Sequence, residues 1–389
     1  MNKEMIDVLK QEEKHRKQHP YWVWESIQSI PEMLAQCWNE DVRQDIESVI
    51  QECKNREIER LVFLGRGSSY FAALSAKPFI QKITHLPVAC YVSNVFEAYP
   101  YDKCDEKTAV FFNSHSGKSE GDLRIVELVK SLGAYTVGVT DIADSSLAEA
   151  VDQLLIGPGG SKVELPATRT YATAIYRTLL FALAFGKALG VAQDVDEYET
   201  ALKDLPEKMR KFVPAFEEQA PEIVSILKDC KSLIVVGSGP NFGNAEEAGM
   251  AFNQSSGIPT ISYEMENYIH GPIQALNDQT GVILIATPSP LQGRMFSLAS
   301  AAKTIGAKVV LITSVDSRDI PETDGLVSLP AGIPDLFSPV ASMIPLWQIG
   351  YHFGLLGNGS HPDRLSMDKE EFKAAFTHLM KSDKWVSMR

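Results

Sequence analysis

The second half of this 389-residue chain repeats the first. Slid by 172 positions, the run Leu61-Val62-Phe63-Leu64-Gly65-Arg66-Gly67 falls on Leu233-Ile234-Val235-Val236-Gly237-Ser238-Gly239. With no gap, Pro87 then falls on Pro259, Tyr91 on Tyr263, Pro100 on Pro272, Thr108 on Thr280 and Val110 on Val282. The register slips by one at Gly133 and Gly306 and returns at Leu154-Leu155 against Leu326-Val327. Turns and apolar runs recurring at constant spacing over a whole domain require two similar domains, packed around a pseudo-twofold relation. Within the first copy, strands are expected at 61–64, 88–92, 109–112, 135–139 and 153–156, with helices at 120–132 and 170–189. Such strand–helix alternation makes a parallel sheet covered by helices on both faces. The acidic stretch 194–207 between the copies reads as a linker. Ahead of the first copy, Tyr21-Trp22-Val23-Trp24 and then Ile27, Ile30, Met33 and Leu34 recur at helical spacing. That apolar face is expected to dock on the rest of the protein.

Composition narrows the function. Lys and Arg number 37 against 50 Asp and Glu, a net charge of −13, which argues against a general nucleic-acid binder. A locally positive pocket for a small anion remains compatible with that balance. The opening residues are charged and lack an apolar signal core, and the longest apolar stretches are too short for a bilayer; a cytoplasmic protein without membrane contact is expected. The five cysteines, Cys37, Cys53, Cys90, Cys104 and Cys230, form no CxxC or Cys/His cluster and read as reduced packing residues. The histidines show no metal-ligand spacing, so no metal is expected. Neither Gly65-Arg66-Gly67-Ser68-Ser69 nor Gly237-Ser238-Gly239-Pro240-Asn241 fits GxGxxG, and no suitable acidic residue ends the next strand. No dinucleotide or other organic cofactor is therefore expected.

Residues present in only one copy are candidates for divided labour. After the strand 109–112 comes Asn113-Ser114-His115-Ser116-Gly117-Lys118-Ser119-Glu120-Gly121-Asp122. Its three serines supply hydroxyls, Gly117 lets backbone amides approach, and the helix starting near Ser119 adds unpaired N–H groups. That set suits a phosphate, though a serine there also suits a helix cap. The second copy reads Ala286-Thr287-Pro288-Ser289-Pro290 and has lost the set. Ser68 and Ser69 are expected to join the same pocket, because adjacent strand ends of a parallel sheet converge on one crevice. The second segment is Glu264-Met265-Glu266-Asn267-Tyr268-Ile269-His270-Gly271-Pro272. A loop histidine beside two carboxylates can carry protons at neutral pH, or can simply precede a Gly-Pro turn at the surface.

These segments resemble those of the double SIS (sugar isomerase) domain family, in particular the isomerase half of glutamine:fructose-6-phosphate aminotransferases and the fructosamine-6-phosphate deglycases. Ser114-His115-Ser116-Gly117-Lys118-Ser119 is similar to the SQSGxT phosphate loop, Gly67-Ser68-Ser69-Tyr70 to the first phosphate-site turn, and His270-Gly271-Pro272 to the HGP signature. Gln18-His19-Pro20 resembles the start of the family's isomerase half. The resemblance implies two flavodoxin-like three-layer α/β/α domains at 56–192 and 208–358. An N-terminal helical segment at 1–55 precedes them, and a C-terminal tail at 359–389 closes the site. It implies that Ser68, Ser69, Ser114, Ser116, Gly117 and Ser119 hold a sugar 6-phosphate. It also implies that Thr168 and Arg169 in the loop 165–169 line the sugar, that Pro362-Asp363-Arg364-Leu365 belongs to the closing tail, and that Lys369 stands near the tail lysine. His270 would open the sugar ring, in a site shared across a homodimer. No glutaminase domain is expected, since Met1 is not followed by Cys.

One departure bears on the chemistry. The family places a catalytic glutamate sixteen positions before the HGP histidine; here that position is Gln254, and a one-residue slip gives Asn253. Neither is a carboxylate base. Glu266, beside His270, is the first substitute and Glu247, two helical turns before Gln254, the second; Glu264 also lies in the loop. The expected function is an enzyme on a hexose or aminohexose 6-phosphate, performing aldose–ketose isomerisation or ketosamine-6-phosphate deglycation through ring opening and C1–C2 proton transfer. The alternative is a non-catalytic sugar-phosphate-binding regulatory protein.

Overall fold

A computed structural model describes residues 16–100, 104–160, 166–315, 318–357, 359–364 and 369–381. Two helices, α1 (Trp22–Gln36) and α2 (Glu40–Asn55), lead into the first alternating unit. This runs β1 (Arg60–Gly65), α3 (Ser68–Thr84), β2 (Val88–Val92), α4 (Ser93–Ala98), β3 (Thr108–Asn113), α5 (Glu120–Ser131), β4 (Tyr135–Thr140), α6 (Ser146–Ala150), β5 (Gln153–Ile156) and α7 (Arg169–Leu189). A long helix, α8 (Val195–Leu227), joins it to β6 (Ser232–Gly237), α9 (Phe242–Ser255), β7 (Thr260–Glu264), α10 (Met265–Ile269) and β8 (Thr280–Ile285). The chain continues through α11 (Gln292–Ile305), β9 (Lys308–Thr313), β10 (Gly325–Ser328), α12 (Ser338–Gly354) and α13 (Glu370–Lys381).

Each unit forms a five-stranded parallel sheet, ordered β2-β1-β3-β4-β5 in the first and β10-β9-β8-β6-β7 in the second, which is the same order read from the other edge. The duplication holds to the residue. Leu61 pairs with Val88 and Ala109, and Leu233 pairs with Thr260 and Gly281, the same partners displaced by 172. At the slip, Gly133 and Gly306 both adopt positive φ (89° and 104°), each closing a helix before the next strand. These are two α/β/α units of one topology.

Strand residues alternate between faces, and the two faces enter different cores. Phe63 and Phe111, stacked with centroids 4.6 Å apart, and Val235 and Ile283 point into one continuous core between the sheets. Helices α1, α3, α7, α8, α9 and α12 contribute to that core, including Ile27, Phe79, Phe181, Met209, Phe252 and Ile349. Val62, Leu64, Val110 and Phe112 face the opposite way onto α5, as Ile234, Val236, Val282 and Leu284 do onto α11. At the centre α9 crosses α3 very closely. A Cβ on Gly243 would stand 2.4 Å from the Phe71 carbonyl oxygen, so only glycine permits the crossing.

The stretch 194–207 is not a linker but the start of α8, which runs unbroken for 33 residues. Tyr198, Leu202, Leu205, Met209, Phe212 and Phe216 recur at helical spacing and are buried, while the acidic residues that suggested a linker lie largely on the outer face. Pro206, Pro214 and Pro221 recur at seven or eight residues, so their missing N–H groups fall along one side, where a helix can bend without breaking.

The N-terminal apolar face docks as expected: Val23, Ile27, Ile30 and Leu34 are buried in the shared core. His19 Nδ1 lies 2.6 Å from the Tyr351 hydroxyl, and the Val23 backbone N–H in the first turn of α1 donates to the buried Asp363 carboxylate at 2.9 Å. That carboxylate complements the positive end of α1. Residues 1–15, Leu165 and Leu365 lie outside the described residues. All five cysteines are free thiols; burial pushes Cys37, Cys53 and Cys90 up to about 12, which keeps them protonated. Helix α7 is apolar and long enough to cross a membrane by composition, yet it is packed in the core of the first unit.

Candidate functional site

The first sheet reverses its direction of growth between β1 and β3, the position where open parallel sheets form a ligand crevice at their C-terminal ends. Three segments expected to hold phosphate meet there. Ser68 and Ser69 open α3 directly after β1; Ser114 and Ser116 follow β3; Ser119 opens α5. Asn113 fastens the two sides, its side-chain amide donating to the Ser69 carbonyl at 3.1 Å. Gly117 has φ +60° and packs where a Cβ would lie 2.2 Å from Ser145 Oγ, so the loop is seated against the start of α6.

The serines divide into two kinds. Ser119 is the cap of α5, its hydroxyl accepting the Asp122 N–H at 3.3 Å and a further bond from the Arg66 guanidinium. Ser69, Ser114 and Ser116 have hydroxyls that no protein group engages among the described residues, and Ser116 is exposed. A cap needs one serine; the others, at the same end of the sheet, are left unspent. Arg66, which sequence reasoning passed over inside its glycine turn, reaches Ser119, Asn94 and, at 3.4 Å, Asp122. It brings a cation to the crevice wall.

Sequence reasoning also missed the environment of His115. Its Nδ1 lies 2.9 Å from Asp141 Oδ2 at the end of β4, and Asp141 Oδ1 lies 3.1 Å from Arg177 Nη2 on α7. Asp141 and Arg177 side chains are 1% and 2% exposed. Burial opposes ionisation of Asp141, but Arg177 and His115 together outweigh it and hold the carboxyl below its usual range. Arg177 is fixed in turn by the carbonyls of Thr140 and Leu155.

The expected carboxylates are far from equivalent. Glu247 on α9 is fully buried and accepts from Ser68 Oγ at 3.2 Å, so a side chain of the second unit reaches the first unit's crevice. Glu266 lies beside His270 (3.5 Å) but is clasped by Arg294 through two bonds of 2.8 and 3.3 Å. Hydrogen bonding to Arg294 holds its carboxyl below the usual range, which weakens it as a base. Glu264 accepts the Glu266 and Asn267 N–H groups and caps α10. Asn253 ties α9 to β7 through the Thr260 backbone, and Gln254 is half-buried.

The remaining expected residues are placed as follows. The His270 side chain is 77% exposed, and among the described residues it bonds to no member of the serine cradle. Thr168 is buried at the start of α7, with its hydroxyl given to Ser26 of α1 at 2.6 Å. Arg169 is buried beside it and acts on Asp141. Lys369 is exposed just before α13. At the matching place in the second unit the side chains bond to one another: Thr287 donates to Asp335 (2.8 Å), Asn241 donates to Thr287 and Ser338, and Ser342 donates to Asn241.

A SIS domain model matches residues 56–184 and 226–331, well over half of the chain, and the chain belongs to the SIS domain family. It is similar to glutamine–fructose-6-phosphate aminotransferase (isomerizing) of Thermococcus kodakarensis, 26% identical over 349 residues covering 89% of this chain and 57% of that protein. The Pyrococcus horikoshii enzyme of the same name is 26% identical, over 79% of this chain and 50% of its own. The chain thus spans about half the length of the curated relatives it matches. Among solved structures, the C-terminal domain of glucosamine-fructose-6-phosphate aminotransferase from Francisella tularensis superimposes with a TM-score of 0.78 at 18% identity, covering 89% of this chain and 98% of that one. Tagatose-6-phosphate ketose/aldose isomerase from Escherichia coli superimposes at 0.73 with 15% identity, covering 88% and 95%. The fold is that of phosphosugar isomerases.

Proposed function

We propose that the chain is a phosphosugar-processing enzyme that holds a hexose or aminohexose 6-phosphate with its phosphate in the crevice between β1 and β3. The observation that carries this reading is the set of unengaged hydroxyls of Ser69, Ser114 and Ser116, gathered at two helix N-termini beside Arg66. Such donors stabilise a dianion through charge-assisted bonds. Gly117 and Ser119 shape the cradle, and Ser68 stands between it and Glu247.

The chemistry proposed is C1–C2 proton transfer on the open-chain sugar. In isomerisation a base removes the C2 proton of an aldose and returns one to C1. In deglycation the C1 proton of a ketosamine is removed, C2 is reprotonated, and water hydrolyses the resulting imine to release the amine. Glu247 is the better candidate base, because it borders the cradle through Ser68, whereas Glu266 is clasped by Arg294. His270 is exposed, and we assign ring opening to it from the neighbouring subunit of a homodimer. Thr168, Arg169 and the tail with Lys369 are proposed to shape and close the site without touching the reacting atoms. A second reading, a non-catalytic binder of sugar phosphates, draws on Gln254 at the position of the family's glutamate. Incubation with a panel of sugar 6-phosphates and ketosamine 6-phosphates, read by mass spectrometry, separates the two. Turnover of any member supports the enzyme; binding without turnover across the panel supports the regulator.

A further inference from the structure

The cradle loop holds a histidine, and the fold treats it unlike its serine neighbours. His115 lies between Ser114 and Ser116, with its backbone fixed as the Thr140 hydroxyl donates to its carbonyl at 2.9 Å. Its ring is oriented through Nδ1 by Asp141, which is nearly inaccessible and held by Arg177. The side chain is 34% exposed, and Nδ1 is turned to the buried carboxylate, which leaves Nε2 on the ring edge away from it. Among the described residues Nε2 has no protein partner. An ionised Asp141 keeps a proton on Nδ1, so a second proton makes Nε2 a donor on a cationic ring.

We infer that His115 is a phosphate ligand of the cradle in its imidazolium form, held in register by the Asp141–Arg177 pair, so that binding of the phosphate dianion takes up a proton. The inference rests on the reading of this crevice as a phosphate site. The charged groups around the ring are Asp141 from β4, Arg177 and Arg169 from α7 acting through Asp141, Lys118 on the same loop, and Arg66 across the cradle at Ser119. Asp45 on α2 faces Arg177 from behind. The protein offers the ring one anion and several cations; a bound dianion adds negative charge on the other side. The sign follows: the bound state binds the proton more tightly, so affinity is full at low pH and is lost as pH rises through the titration of the complex.

Sulfate stays a dianion throughout the working range, so its pH dependence reports on protein groups alone. Binding of sulfate and of fructose 6-phosphate is measured by calorimetry in buffers of different ionisation enthalpy, from about pH 6 to about pH 8, the range across which imidazole titrates. Wild type is expected to lose about tenfold in sulfate affinity over that range, the worth of one charge-assisted bond, and to take up protons on binding near neutrality. His115→Gln keeps a donor that cannot titrate; it should bind with no pH slope and no proton uptake. Asp141→Asn, a test of positioning, should move the slope to lower pH; should it fail to fold, His115→Gln decides alone. Ser116→Ala should weaken binding at every pH and keep the slope. A flat profile in wild type, or a slope that survives in His115→Gln, overturns the inference and leaves the cradle intact. Wild-type affinity in Ser116→Ala, or no binding of either probe by wild type, overturns the phosphate site and the inference with it.

Discussion

Ser116 offers the sharpest test of the cradle, because the structure gives it nothing else to do. It is exposed, it caps no helix, and no protein group engages its hydroxyl among the described residues. Ser116→Ala should therefore leave stability within about 0.5 kcal/mol of wild type, as surface substitutions generally do. A hydrogen bond to a charged phosphate oxygen is worth about 1.5–3 kcal/mol, so the loss in affinity should be roughly 10- to 150-fold. Ser119→Ala supplies the contrast. It removes the cap of α5 and a partner of Arg66, so it should cost about 0.5–2 kcal/mol of stability as well as affinity. The assay is paired: thermal unfolding for each variant, and calorimetric titration with fructose 6-phosphate. Ser116→Ala that binds as wild type would refute the reasoning, leaving the loop as a helix cap with ornamental serines. Ser116→Ala that unfolds several degrees early would refute it from the other side, by showing a structural duty.

Three further outcomes follow from named contacts. Glu247→Gln should lower turnover by roughly 10²–10⁴ with little change in KM, the usual worth of a positioned base, while Glu266→Gln loses less; steady-state kinetics on the substrate found by the panel checks the ranking. Mixing Glu247→Gln with His270→Gln subunits after mild dissociation should restore about a quarter of wild-type activity if each site draws on both subunits of a twofold dimer; no recovery places both residues in a site of one chain. Gly243→Ala should destabilise the chain by about 1–3 kcal/mol in urea unfolding, since the added methyl meets the backbone of α3 and overpacks the crossing.

Much of the architecture was legible because duplication doubles every signal. A strand end ambiguous in one copy is fixed by its mate, and the expected slip at Gly133 and Gly306 reappears as paired left-handed helix ends. Composition misled at 194–207, where charges on the outer face of α8 masked Tyr198, Leu202 and Leu205 on its buried face. At the crevice, the serines announced themselves by being adjacent in the chain. The His115–Asp141–Arg177 relay did not, because its members come from the loops after β3 and β4 and from α7 and are assembled only when the sheet closes. Thr168 was placed by resemblance alone, and the bond its hydroxyl gives to Ser26, a partner far away in sequence, could not be read from its segment.

The bonding of Thr287, Asp335, Asn241, Ser338 and Ser342 to one another in the second unit has a consequence for motion. Two halves of one topology need not share one rigidity. On the function proposed above the first half lets a guest in and out, whereas at the matching spot of the second half the side chains bond to one another. The second half can serve as a stiff abutment, and α9, rooted in that half, carries Glu247 from it to the edge of the opening. A loosened copy would hold the same carboxylate in a wandering position. The duplicated gene thus yields a vice with one fixed jaw, and precision at the working groove is supplied by the half that gave up its own.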